Sequence, residues 1–100
     1  MNDTELLALG DALARTEEVL RPGEQLTFAD YIARALGSDA QIAALASGSE
    51  TLIITVDGHR IEGLDALVPV TAESRVVLYR RQGPMLDVLT GGVVRRIYLN

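Results

Sequence analysis

The feature that most constrains this chain is a change of hydrophobic period halfway along it. Up to about residue 48 the apolar residues recur at helical spacing, and from residue 51 onward they sit in short β-branched runs. A chain with that order can bury both kinds of apolar surface only by packing its helices against its strands. The sequence therefore predicts an α+β fold, with N-terminal helices packed on a C-terminal antiparallel sheet. At 100 residues the chain has length for one domain, spanning 1–100.

Three helices are predicted. Residues 4–20 place Leu6, Leu9, Leu13 and Leu20 close to one face. Asn2 or Asp3 can cap this helix, Asn2 with Glu5 has the spacing of a capping box, and Pro22-Gly23 ends the element. A second helix spans 27–36, with Thr27 as cap and Phe28, Ile32, Ala35 and Leu36 along one side. Gly37 stops it, because glycine adopts the left-handed cap at little cost. A third spans 38–47, opened by Ser38-x-x-Gln41, anchored by Ile42 and Leu45 and closed by Gly48.

Strands are predicted at 51–57, 59–62, 75–81, 85–89 and 93–99. Asp57-Gly58 is a hairpin signal, since a type I′ turn needs positive φ at both central positions. Residues 63–74 read as a connection, with Pro69 arguing against a central strand there. Gly83-Pro84 breaks the strand before it, and Thr90-Gly91-Gly92 reads as the turn of a last hairpin.

Composition removes several classes of chemistry. The chain has no Cys, which excludes disulfides, thiolate metal sites and cysteine nucleophiles, and one His, which excludes a multi-histidine metal site within one chain. All nine basic residues are Arg, so no lysine can form a Schiff base or cradle a phosphate. No apolar run approaches the ~20 residues that cross a membrane. The N-terminus is acidic and lacks the basic region that opens a secretory signal. The expectation is a soluble, cytoplasmic, lysine-free protein with no membrane partner.

The remaining polar residues form no evident catalytic set. His59 sits beside a tight turn, where a side chain is normally solvated. Glu17 and Glu18 point to different sides of a helix, and Asp57, Glu62 and Asp65 belong to a turn region, so nothing fixes a carboxylate pair. Neither Gly83-Pro84 nor Gly91-Gly92 has the pattern of a phosphate loop. The expectation is a non-enzymatic protein without cofactor or metal.

Charge and strand parity point elsewhere. Residues 1–50 carry a net charge of −6 and residues 51–100 a net of +1. The acidic half disfavours nucleic acid and suits a basic protein surface or a second copy of the chain. Neighbours in a strand point to opposite faces, so Arg80-Arg81 and Arg95-Arg96 each put one arginine on each side of the sheet. Arg95 shares a parity with Val93, Ile97 and Leu99, and Arg96 with Val94 and Tyr98. The last strand is apolar and free of Pro, and such a strand is a hazard unless paired. Arg80, Arg81, Val93, Arg95, Arg96, Ile97 and Tyr98 are accordingly the candidate protein interface, through Arg and Tyr anchors and strand pairing.

Two family resemblances accompany this reading. The order of three helices and a hairpin resembles a winged helix-turn-helix, with 27–36 as its first helix, 38–47 as the recognition helix and Asp57-Gly58 as the wing tip. That resemblance implies a transcriptional regulator, although 38–48 holds Asp39 and no Arg or Lys for phosphate contacts. Residues 26–81 resemble ubiquitin-like β-grasp proteins of the sulfur-carrier type. The resemblance rests on Leu26-Thr27-Phe28-Ala29-Asp30-Tyr31-Ile32, on Leu52 to Gly58 and on Val76-Val77-Leu78-Tyr79. It implies an opening hairpin where 4–20 reads as helix, and a carrier processed after Gly92, which eight residues follow. The residues themselves point first to a small interaction module acting in a larger assembly, with a protein partner or a homo-oligomer.

Overall fold

The computed structural model of the protein describes residues 3–37 and 51–99. The fold is α+β: helices in the N-terminal part pack on a five-stranded antiparallel sheet. The expected helix over 38–47 and the Asn2 cap lie outside the described residues.

Helix α1 (Asp3–Ala14) buries Leu6, Leu9, Gly10 and Leu13, a face at the predicted helical spacing. The single helix expected over 4–20 is divided. Arg15 leaves helical geometry with φ −99 and ψ 50, and a one-turn helix α2 (Thr16–Val19) follows. The tertiary contact at the break explains it. The Thr16 hydroxyl donates to the carbonyl of Ser74 at 2.5 Å, and Leu20, just past α2, is buried in the core.

Helix α3 (Phe28–Leu36) matches expectation. The Thr27 hydroxyl oxygen accepts from the Asp30 amide at 3.3 Å, and Gly37 adopts φ 61 while its N–H bonds to Ala33. Phe28, Tyr31 and Ile32 face the core, and the Tyr31 hydroxyl donates to the Leu13 carbonyl at 2.8 Å. That oxygen is among the last in α1, which have no partner within the helix.

The large sheet has the order β3-β2-β5-β6-β7, formed by β2 (Thr51–Val56), β3 (His59–Ile61), β5 (Val76–Gln82), β6 (Met85–Thr90) and β7 (Val93–Tyr98). Asp57 and Gly58 have φ 52 and 83 and join β2 to β3 as a two-residue hairpin, as their sequence predicts. Gly91 and Gly92, both at positive φ, turn β6 into β7. One pairing was not expected. Within the connection 63–74, β4 (Pro69–Thr71) pairs with β1 (Gln25–Thr27) as a separate two-stranded sheet. Pro69 fits because it opens a short strand in a sheet of only two.

The core lies between α1, α3 and one face of the large sheet. Ile54 and Val56 of β2, Val76 and Leu78 of β5 and Leu89 of β6 share that face with the buried leucines of α1. The register then assigns the other residues. Arg80, Asp87 and Arg96 lie on the helix-facing side, and Tyr79, Val88 and Arg95 on the opposite side.

Candidate protein interface

The interface residues expected from sequence fall on β5 and β7, and β6 decides what each can do. Asp87 of β6 stands opposite Arg80 on one side and Arg96 on the other. Its carboxylate accepts from Arg80 Nη2 at 2.9 Å and Nε at 3.2 Å, and from Arg96 Nε at 3.0 Å. Asp87 is 1% exposed. The hydrogen bond from Arg96, then that from Arg80, holds its carboxyl below the usual carboxylate range against the opposing effect of burial. The same bond to Asp87 raises Arg96.

Arg80 is therefore not an interface anchor, contrary to the sequence expectation. It is 5% exposed, and a further nitrogen reaches Asp3 at the start of α1 at 2.6 Å. A guanidinium enclosed by Asp87 and Asp3 ties the helix to the sheet. Among the described residues no buried side-chain nitrogen or oxygen lacks a partner, so the charged cluster is fully satisfied inside the fold.

The other candidates remain accessible. Arg81 is exposed on the face away from α1, where its Nε donates to the Gly83 carbonyl at 3.3 Å. Arg96 keeps a half-exposed side chain while bound to Asp87. Arg95 is exposed, with no ion pair or hydrogen bond among the described residues. Val93, Ile97 and Tyr98 are 58%, 49% and 66% exposed, and Leu99 beside them is also exposed. Parity grouped Leu99 with Arg95 without making it an interface residue, and the sequence did not identify Asp87 and Asp3 as the partners of Arg80. The turns at Gly83-Pro84 and Gly91-Gly92 carried the missing signal for Asp87, because they fix which residues of β5, β6 and β7 stand abreast.

Among the described residues β7 ends the sheet order and pairs only with β6; Val94 packs against the core and Arg96 reaches Asp87, while Val93, Arg95, Ile97 and Tyr98 are exposed. The opposite edge, β3, has three residues. The two edges are thus unequal, one short and one long, and the long one carries the exposed apolar side chains.

His59 is exposed in its hairpin, and no cluster of metal-ligating side chains occurs among the described residues. No helix among the described residues is long and apolar enough to cross a membrane. No family model, no curated protein and no solved structure matches the chain.

Proposed function

We propose that the chain is a small non-enzymatic protein–protein interaction module, and that β7 is its docking element. The observation that carries this reading is the position of β7. Among the described residues it is a six-residue edge strand, with Val93, Ile97 and Tyr98 about half exposed or more. Monomeric proteins blunt such edges with prolines, short strands, bulges or charged side chains; β7 has none of the first three, and of its two charges Arg96 is bound to Asp87, which leaves Arg95. An edge of this kind takes an added strand, whose backbone hydrogen bonds supply affinity while alternate side chains supply selectivity. Tyr98 and Arg95 have the chemistry enriched at binding hot spots.

The test places a photo-crosslinking amino acid at Tyr98, and separately at exposed Glu73, in the protein as its own cells make it. A discrete conjugate from position 98 and none from position 73 is the expected result. Equal labelling from both sites, or no conjugate from 98, overturns the reading. Light scattering on the purified protein over a concentration series then tells whether the conjugate's partner is a second copy.

A further inference from the structure

Resting on the docking role of β7, we infer the chemistry of its partner: an extended segment of another chain carrying a carboxylate flanked at two residues' distance by apolar side chains. Among the described residues the seven strands hold five arginines (Arg60, Arg80, Arg81, Arg95 and Arg96) against one acid, Asp87. Asp87 is buried and its charge is consumed by Arg80 and Arg96. On the face away from α1 the strands of the large sheet contain no acid, and among the described residues Arg95 has no ion pair or hydrogen bond. Along that face β7 reads Val93, Arg95, Ile97.

A strand added to the free edge of β7 places its own residues opposite these three. Same-face neighbours directly across a strand pair gain when their charges oppose and lose when they match. The complement of Val93-x-Arg95-x-Ile97 is therefore apolar-x-acidic-x-apolar. On the helix-facing side Arg96 already has Asp87 and makes no second demand for charge.

The same charges act against a second copy. A two-fold antiparallel pairing of β7 with a second β7 always sets one residue of the strand against its own copy, and arginines occupy its two central positions, 95 and 96. Registers centred on Arg95 or on Arg96 set each arginine against its own copy. Registers centred on Val94 or on Ile97 avoid this, but within β7 they pair only Val93–Arg95 or only Arg96–Tyr98. The opposite edge offers no better match, since β3 is short and carries Arg60.

The test uses the intact protein and three capped peptides of sequence Thr-Val-Thr-Glu-Thr-Val-Thr, with Glu, Gln or Lys at the centre, followed by amide chemical shifts. The chain carries a net −5, so diffuse attraction would favour the lysine peptide. The expected result is the reverse: shifts confined to β7 and its neighbours, with the Glu peptide binding about tenfold more tightly than the Lys peptide. Arg95→Glu, at an exposed position without partners among the described residues, should invert that order with the thermal midpoint changed little. Shifts on β7 of equal size with all three peptides, or an order that survives Arg95→Glu, overturn the carboxylate inference and leave edge docking standing. No shift on β7 with any peptide overturns both.

Discussion

Gly10 of α1 lies directly against the backbone of Leu89 in β6. A Cβ at position 10 would overlap the Leu89 carbonyl oxygen and stand 3.0 Å from its carbonyl carbon and its Cβ. Because the obstacle is mostly backbone, no rotamer change relieves it. In a solvent-facing helix Gly→Ala stabilises by about 1 kcal/mol. Here the sign should reverse, with Gly10→Ala destabilising by roughly 1–3 kcal/mol, the usual cost of overpacking. Urea unfolding of the variant checks this, and a gain in stability would mean that α1 does not sit this close to the sheet.

The Asp87 cluster gives the fold an acid-sensitive component. The Asp87 carboxyl is held below its ordinary value, chiefly by Arg96. A group whose pKa is lower folded than unfolded binds more protons when unfolded. It contributes stability above its unfolded pKa and loses it as pH falls through the folded value. The contribution should be complete near neutral pH and disappear on acidification below about pH 4. Glu24, lowered by Arg34, acts in the same direction. Asp87→Asn should therefore flatten the decline of stability between neutral and strongly acid pH. It should also lower stability at pH 7 by roughly 3 kcal/mol, because Arg80 stays buried without its main counter-charge. Unfolding curves over a pH series compare the two proteins. An unchanged slope would remove Asp87 from the acid response.

Tyr31 joins α3 to the end of α1 through one hydroxyl. Burial raises its pKa, so the phenol stays a neutral donor to Leu13 throughout the accessible pH range. Tyr31→Phe keeps the ring and its contact with Phe28, whose centroid lies 6.4 Å away. It removes the donor alone. The expected cost is about 1 kcal/mol, with the Leu13 carbonyl left unpaired. Amide exchange near the end of α1 should speed up more than exchange in the sheet. Uniform acceleration would show that the bond stabilises the fold as a whole and not that helix end.

Much of this architecture is written locally. The Thr27 cap, the Gly37 stop and the Asp57-Gly58 turn each depend on residues within one turn of chain, and all three are found where the sequence places them. What escaped the sequence reading depends on distant partners. The break at Arg15 reflects Thr16 reaching Ser74, 58 residues away, and β1 is defined only by its pairing with β4. The candidate site divides in the same way. Strand parity separates Arg95 from Arg96, but the burial of Arg80 follows from Asp3 and Asp87, one of them 77 residues distant. Neighbouring arginines with similar sequence surroundings thus have different roles for reasons that only the assembled sheet supplies.

Arg80 and Arg95 should accordingly respond in opposite ways to the same substitution. Arg80→Glu puts a carboxylate beside buried Asp87, in a place that is 5% exposed, so like charges meet there with little screening by water, and the tie to the exposed Asp3 is lost. Loss of the buried pair alone costs about 3–5 kcal/mol, a large part of the stability of a domain this size. Arg80→Glu should be poorly folded at neutral pH, and Arg80→Met should recover part of the loss by keeping the volume without the repulsion. Arg95→Glu replaces an exposed side chain without partners among the described residues and should change stability by no more than about 0.5 kcal/mol. Circular dichroism melts of the three variants beside the parent protein decide the matter. Equal losses at positions 80 and 95 would mean that Arg95 has an internal role, and would withdraw it from the docking surface.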